Sequence, residues 1–94
     1  MLSIVIPAYN EEKMILKTTD VVSGIMEREK IPFELVFVND GSKDRTWEMI
    51  EKAAEKNSHV TGIRFSRNFG KESAILAGLA NAEGDCIAVM DCDL

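Results

Sequence analysis

The sequence FELVFVNDGSKD, residues Phe33–Asp44, decides the fold of this chain. It contains a short apolar run, Leu35–Val38, rich in β-branched and aromatic residues, which is typical of a parallel strand covered on both faces. The run ends at Asn39-Asp40-Gly41-Ser42, and Ser42 or Asp44 is a candidate cap for a following helix. Because ligands of open α/β sheets bind at the carboxyl edge, we expect Asp40 to contact a ligand. The alternative for this stretch is a plain turn and helix cap.

Apolar runs and amphipathic segments alternate along the chain and predict its secondary structure. The apolar runs predict strands at Leu2–Ile6, Leu35–Val38, Val60–Phe65 and Cys86–Met90. Helical spacing of apolar residues predicts helices from an N-cap at Asn10 to about Lys30, from about Asp44 to Lys56, and from about Gly70 to Ala82. Gly62 is expected to weaken the third strand, and the last helix is apolar enough to need a covering partner.

The alternation of strand and helix implies an α/β fold, a three-layer, Rossmann-like parallel sheet of four strands and three helices with right-handed crossovers. We expect the strand order 3-2-1-4. That order brings Asp91, after the fourth strand, beside Pro7–Glu11, after the first strand, at a switch point of the sheet. With 94 residues, the chain has the length of one small domain.

Composition excludes several classes of function. The formal net charge of −5 argues against a general nucleic-acid binder. Cys86 and Cys92 would lie roughly 20 Å apart along one strand, too far for a disulfide, so we expect free thiols and a cytoplasmic location. With His59 they do not form a zinc-ligand spacing. No apolar run is long enough to span a bilayer, and we expect no signal peptide at the start of the chain.

Two carboxylates follow the last predicted strand. Asp91 and Asp93 are separated by one residue, so in an extended backbone both side chains point to the same side. Such a pair suits a hard divalent cation, for example Mg²⁺, that also holds substrate phosphates. The alternative is a pair of solvated surface acids.

Cations and polar side chains belong to the same edge of the predicted sheet. Arg67 and Lys71 flank the start of the last helix, a favourable place for a phosphate or carboxylate; the alternative is a solvated basic turn. Tyr9 and Asn10 have the groups to stack on and hydrogen-bond a base, although a loop tyrosine is more often a packing residue. Together with Ser42, these residues describe a site for a nucleoside diphosphate. The glycine motifs of competing phosphate-binding folds are absent.

Four motifs in order resemble the family 2 glycosyltransferases of the GT-A fold. They are SIVIPAYNEE at residues 3–12, VNDGSKD at 38–44, RNFGK at 67–71 and DCD at 91–93. RNFGK and the Ala-rich helix after it look most like the polyprenyl-phosphate branch, which includes dolichol-phosphate mannose synthases and bactoprenol glucosyltransferases. The resemblance covers the whole chain. It implies transfer of a sugar from a UDP- or GDP-sugar to an acceptor, most like polyprenyl phosphate, at the cytoplasmic face of the membrane.

The resemblance also implies roles for individual residues. Asp40 would hydrogen-bond the base, and Asp91 would reach the ribose. Asp91 and Asp93 would hold Mg²⁺ or Mn²⁺ on the diphosphate, where the metal stabilises the charge of the leaving group. Arg67 and Lys71 would lie near the donor phosphates or the lipid phosphate. The nucleotide-binding set that the resemblance implies is Pro7, Ala8, Tyr9, Glu11, Asp40, Ser42 and Asp91.

The family continues well past its Asp-x-Asp motif, whereas this sequence ends one residue after it. We therefore expect the N-terminal, nucleotide-sugar-binding half of a GT-A enzyme, without a catalytic base and without turnover. The alternative is a catalytically inactive truncated fragment that only folds and self-associates. The strand Cys86–Met90 lies at the expected sheet edge and has no Pro or Lys. With the last helix it is expected to form the interface of a homo-oligomer.

Overall fold

A computed structural model describes residues 1–93 as an alternation of strands and helices. The elements are β1 (Leu2–Ala8), α1 (Ile15–Arg28), β2 (Phe33–Asn39), α2 (Thr46–Lys56), β3 (Val60–Arg64), α3 (Lys71–Asn81) and β4 (Cys86–Val89). All strand pairs are parallel, and the order across the sheet is β3-β2-β1-β4. The predicted fold class and strand order are therefore confirmed.

Two apolar layers hold the helices to the sheet. Helices α1 and α2 cover one face, and helix α3 covers the other. The first layer buries Ile4, Ile6, Ile15, Leu35, Phe37 and Ile50. The second layer buries Val5, Val36, Val38 and Ala74. Because β1 and β2 are covered on both faces, their sequences are almost continuously apolar, which is the pattern that predicted them.

Strand β1 runs beyond its predicted end, through Pro7 to Ala8. Alternate residues of a central parallel strand bond to alternate neighbours. The Met90 N–H donates to the Val5 carbonyl over 3.0 Å, so Val5 and Pro7 both face the β4 side. The ladder between β1 and β4 ends at the pair Val5–Val89. Pro7 therefore lies past the region paired with β4, where its missing N–H interrupts no bond to that strand.

Gly62 has a packing role in β3. A Cβ built on this residue would lie 2.7 Å from Ile50 Cγ2 and 3.1 Å from ring atoms of Trp47. Both side chains belong to α2, so glycine at this position lets α2 lie close to the strand. Gly62, which was expected to weaken β3, therefore allows α2 to pack closely against that strand.

Strand β4 and part of α3 form an exposed apolar surface. All residues of Cys86–Val89 are exposed. Within the described part of the chain, α3 buries Ala74 and Gly78 against the sheet, while Leu76 is 66% exposed and Leu79 is 39% exposed. The apolar surface of the last helix, which was predicted to need a covering partner, is therefore uncovered within residues 1–93.

The structure describes both cysteines and all three helices. Cys86 is exposed, Cys92 is buried, and both are free. None of the helices in residues 1–93 is long and apolar enough to cross a membrane.

Candidate functional site

The loops after β1 and β2 are joined by hydrogen bonds. The Asn10 N–H donates to Ser42 Oγ over 3.0 Å, and the Lys43 N–H donates to Asn10 Oδ1 over 2.9 Å. Asn10 has a φ of 54°, a left-handed conformation that asparagine tolerates better than most residues. The predicted N-cap at Asn10 is wrong: α1 begins at Ile15, after Met14, because the Asn10 side chain is used between the loops.

The Asp44 side chain accepts hydrogen bonds just before the start of α2. Its Oδ1 accepts the Thr46 N–H over 2.9 Å, and its Oδ2 accepts the Glu12 N–H over 3.3 Å. Burial opposes ionisation of Asp44, yet the hydrogen bonds from Thr46 and from the Glu12 amide outweigh it and lower the pKa of Asp44. Of the two predicted caps, Asp44 serves the helix from the position before Arg45, and Ser42 serves the first loop instead.

The Asp40 carboxylate is buried and faces the loop between β3 and α3. Asp40 is 4% exposed. Its Oδ1 accepts the Phe69 N–H over 2.8 Å, and its Oδ2 accepts the Gly70 N–H over 3.1 Å and Asn68 Nδ2 over 3.2 Å. A carboxylate has about four acceptor positions, so most of this one is already used. The base contact expected for Asp40 stays a prediction.

Gly41 brings the same loop into direct backbone contact. Its φ is 65°, and a Cβ built on it would lie 2.1 Å from the Arg67 carbonyl carbon and 2.2 Å from the Asn68 nitrogen. No other residue fits this conformation and this approach without displacing the loop. The sequence RNFGK indicates a basic loop by its cations and gives no sign that Asn68, Phe69 and Gly70 dock on Asp40 and Gly41.

The two predicted phosphate-binding cations point to different partners. The Arg67 guanidinium lies over the Phe69 ring, 4.8 Å from its centroid, in a cation–π contact. Phe65 meets the same ring edge-on at 5.5 Å. Lys71 instead reaches Asp91, with 2.7 Å between Nζ and Oδ1. Arg67 is therefore held at the aromatic side of the loop, and Lys71 at its acidic side.

An open cleft of about 310 Å³ gathers residues from three separate loops. Lys71 and Asp91 meet across it, and their hydrogen bond, with the attraction of the Asp91 charge, raises the pKa of Lys71. The cleft lies between the end of β1, the start of α3 and the segment after β4, where the switch point was predicted. The residues that line it are Tyr9, Glu11, Lys71, Asp91, Cys92 and Asp93.

Cys92 anchors the acidic segment. It is 3% exposed, and its carbonyl accepts the Thr18 Oγ1 hydrogen bond over 2.6 Å. Burial raises the pKa of the Cys92 thiol to about 11, so the thiol stays protonated and packs as a small apolar group. Asp91 and Asp93, on either side of it, are exposed. Burying the central residue leaves both carboxylates available to a ligand.

Glu11 has an oxygen without a partner in the cleft. Its backbone N–H donates to Thr46 Oγ1 over 2.8 Å. Its Oε2 is buried and has no hydrogen-bond partner among residues 1–93. Burial raises the pKa of Glu11, and the charges of Asp93 and Asp44 raise it further. The Glu11 carboxyl therefore favours a proton or a nearby cation.

The acids of this cleft fit a divalent cation that is shared with a ligand. Within residues 1–93, no three His, Cys, Asp or Glu side chains are grouped closely enough to hold a metal by themselves. Asp91, Asp93 and the unpartnered Glu11 Oε2 are hard oxygen donors, which suit Mg²⁺ and Mn²⁺. Mg²⁺ usually takes about one or two carboxylates and completes its shell with phosphate oxygens and water. The donor set therefore fits a metal that arrives with a phosphate.

The remaining predicted site residues lie around the ends of β1 and β2. Ser42 lines a different cleft, of about 420 Å³, with Asn39, Gly41, Arg64, Phe65 and Ser66. Pro7 and Ala8 end β1, and the Ala8 carbonyl accepts the Asp40 N–H over 2.9 Å. Tyr9 is 43% exposed. The structure thus brings Tyr9 and Glu11 together with Lys71 and the acids in one cleft, whereas Ser42 lines the neighbouring cleft and is linked to this one through its hydrogen bond with Asn10.

The sequence of the chain matches a known protein family. The profile of Glycosyl transferase family 2 matches residues 3–94. The chain is 47% identical over 92 residues to the uncharacterized glycosyltransferase YkcC of Bacillus subtilis; the match covers 98% of this chain and 28% of that protein. It is 42% identical over 93 residues to the bactoprenol glucosyl transferase of Shigella phage SfV, covering 99% of this chain and 30% of that protein.

A solved structure is similar over nearly the whole chain. It is the mannosyltransferase PcManGT from Pyrobaculum calidifontis in complex with GDP-Man and Mn²⁺, with a TM-score of 0.85 and 26% identity. The similarity covers 98% of this chain and 27% of that one. It confirms the predicted GT-A architecture of the sheet. The chain spans less than a third of the length of each of these relatives.

Proposed function

This chain belongs to glycosyl transferase family 2, and we propose that it is the nucleotide-sugar-binding part of a longer glycosyltransferase. The cleft where Lys71 meets Asp91 carries the proposal, because it sets a cation for a phosphate beside oxygen donors for a metal. The phosphates of a nucleoside diphosphate can bind both the cation and the metal. Its base can stack on Tyr9 at the rim of the cleft.

The diphosphate end of the donor occupies the acidic side of the cleft in this proposal. Asp91 and Asp93 hold Mg²⁺ or Mn²⁺, and Asp91 also reaches the ribose. When bound, the metal supplies charge stabilisation to the leaving diphosphate. Lys71 turns from Asp91 toward the phosphate oxygens and adds a charge-assisted hydrogen bond. A cation bound nearby would favour the ionised form of the Glu11 carboxyl and so oppose the rise in its pKa that burial causes.

The nucleoside end occupies the rim formed by the loops after β1 and β2. Pro7 and Ala8 set the floor at the end of β1, and the exposed Tyr9 ring offers a stacking face. Ser42 contributes from the neighbouring cleft. Asp40 is required for donor binding because it joins this rim to the loop that precedes α3.

The acceptor that we propose is a polyprenyl phosphate at the cytoplasmic face of the membrane. Support comes from the similarity to a protein named bactoprenol glucosyl transferase. In this proposal Arg67, which lies over the Phe69 ring, meets the phosphate of the acceptor, because the proposed donor site uses Lys71 for the diphosphate. The residues that complete the acceptor site and supply a catalytic base lie in the remainder of the longer enzyme.

Calorimetric titration of the chain tests the proposal. UDP-glucose and GDP-mannose are titrated separately, each with Mg²⁺, with Mn²⁺ and with EDTA. We expect saturable binding of one donor that strengthens at least tenfold with metal. A chain that is folded by circular dichroism and binds neither donor at millimolar concentration would contradict the proposal.

A second candidate is a chain that folds and self-associates without a ligand. The observation in its favour is the exposed apolar surface of β4 and α3, where Leu76 is 66% exposed. An open strand edge without Pro or Lys pairs readily with another copy. Sedimentation velocity at micromolar concentration distinguishes the candidates. A concentration-dependent dimer without donor binding supports self-association, and a monomer that binds donor supports the transferase.

A further inference from the structure

We propose that Asp40 is a positioning residue: it fixes the 67–70 loop and, through that loop, sets Lys71 against Asp91. The expected effect of Asp40 on ligand binding rests on the proposed donor site. Its effect on the loop can be measured in the ligand-free chain. It concerns residues at two ends of the candidate site that share no direct contact.

Asp40 holds the loop through its carboxylate. Its buried carboxylate accepts two consecutive backbone N–H groups, from Phe69 and Gly70, and the Asn68 side chain. The Asn68 side chain also donates to the Asp40 carbonyl over 3.2 Å. Hydrogen bonds to an ionised acceptor are roughly twice as strong as neutral ones. A short loop with several such bonds to one side chain is fixed by that side chain.

A close backbone contact lies beside these hydrogen bonds. Gly41 lies so close to Arg67 and Asn68 that no Cβ fits between them. The loop is therefore located by a pair of neighbours, Asp40 through hydrogen bonds and Gly41 through close packing. The residues that follow β2 therefore fix the position of the 67–70 loop.

Gly70 and Lys71 connect the loop to the cleft. Gly70, whose N–H is held by Asp40, is the N-cap of α3, and its carbonyl accepts the Ala74 N–H over 3.1 Å. Lys71 is the first helical residue, so its backbone position follows that of Gly70. From there its Nζ reaches Asp91. A shift of the loop therefore moves the cation that we place at the diphosphate.

The consequence is that Asp40 affects the diphosphate end of a donor regardless of its base. An Asp40 that reads a base would discriminate among nucleotides. An Asp40 that positions Lys71 would change the affinity for every diphosphate by the same factor. The probes are therefore UDP, GDP and ribose 5′-diphosphate, the last of which has no base.

The first measurement uses the ligand-free chain and the variant Asp40→Asn. An amide side chain keeps one acceptor but turns an N–H₂ group toward the loop donors. We expect hydrogen exchange of the Phe69 and Gly70 amides, followed by NMR, to accelerate at least tenfold, while the amide of Leu35 in β2 keeps its protection. Unchanged exchange at both loop amides would overturn the proposal.

The second measurement is binding in a double-mutant cycle with Lys71→Ala. We expect Asp40→Asn to weaken UDP, GDP and ribose 5′-diphosphate by the same factor, and to cause little further loss in the Lys71→Ala background. A loss restricted to one nucleotide, with ribose 5′-diphosphate unaffected, would overturn the proposal in favour of base reading. Additive losses from the two substitutions would also overturn it.

Two provisions keep the test decisive. If Asp40→Asn does not fold, Asn68→Asp replaces it, because Asn68 lies on an exposed loop and a carboxylate there removes the amide donor and repels Asp40. The same accelerated exchange and uniform loss are expected. If the unmodified chain binds no diphosphate, the proposed function fails, and the exchange measurement alone decides whether Asp40 fixes the loop.

Discussion

Lys71 Nζ lies 2.7 Å from Asp91 Oδ1, so the first residue of α3 is tied to the segment that follows β4. The two side chains are 62% and 68% exposed, and solvent screens exposed pairs of this kind, so the contact adds little to stability. The pair matters for the site rather than for the fold. It keeps a cation at the place proposed for a diphosphate, and an incoming phosphate displaces it at little cost.

The double substitution Asp91→Asn with Asp93→Asn removes the ionised oxygens of the proposed metal site. We expect the gain in donor affinity on adding Mg²⁺ or Mn²⁺ to disappear, because neutral amides are poor ligands for these ions. The control is Asp20→Asn with Glu27→Gln, which makes the same change in charge on the exposed surface of α1. Calorimetry with and without EDTA measures the gain. A metal effect that survives in the double variant would remove these residues from the assignment.

Asp40→Ala is expected to weaken nucleotide binding by about 1–3 kcal/mol, the cost of leaving partners of a buried polar group unsatisfied. The physical reason is that the N–H groups of Phe69 and Gly70 lose their acceptor, so the loop before α3 is no longer fixed. The matched control is Asp20→Ala on the surface of α1. Calorimetry measures the affinity of each variant, and equal affinities for the variant and the unmodified chain would exclude Asp40 from donor binding.

Glu11 gives the fold a pH dependence with a definite sign. Burial, then the charges of Asp93 and Asp44, raise its pKa from the ordinary value of 4.5. A raised pKa means that the folded chain holds the proton more tightly than the unfolded chain. The stabilisation is therefore complete below pH 4.5 and is lost as the pH rises through the folded value.

Glu11→Gln tests that pH dependence, because glutamine stays neutral at every pH. We expect the stability of the unmodified chain relative to the variant to fall as the pH rises above 4.5, and then to level off. Urea unfolding from pH 4 to pH 8 measures the difference, in which the other titrating groups cancel. Parallel stability curves for the two proteins over this range would mean that Glu11 does not titrate abnormally.

The sequence predicted those features that depend on periodicity and on topology. Buried strands such as Leu35–Val38 are continuous apolar runs, and the crossover rule with a shared edge predicts the strand order. The meeting of Glu11 with Asp91 follows from that order alone, because both residues lie beyond the ends of adjacent parallel strands.

Interactions between side chains of different loops were not predictable in the same way. Asn10 is a residue type that favours helix N-caps, but its side chain accepts the Lys43 N–H from the loop after β2. Asp40 ends a strand as a ligand-binding acid does, yet its carboxylate accepts the amides of a loop about thirty residues later. Local propensity cannot include such partners, because they become neighbours only after the chain has folded.

Gly41→Ala tests the close packing of the 67–70 loop against the residues that follow β2. The left-handed backbone costs alanine about 1–2 kcal/mol, and forcing a methyl group against the Arg67 and Asn68 backbone adds about 1–3 kcal/mol. We therefore expect the free energy of unfolding to fall by about 2–5 kcal/mol. The control is Gly24→Ala in α1, where a Cβ meets nothing within 4 Å and φ is not positive. That change should stabilise the helix by about 0.5–1 kcal/mol. Urea unfolding of both variants decides the matter: opposite signs support this packing, whereas a neutral Gly41→Ala shows that the loop moves away freely.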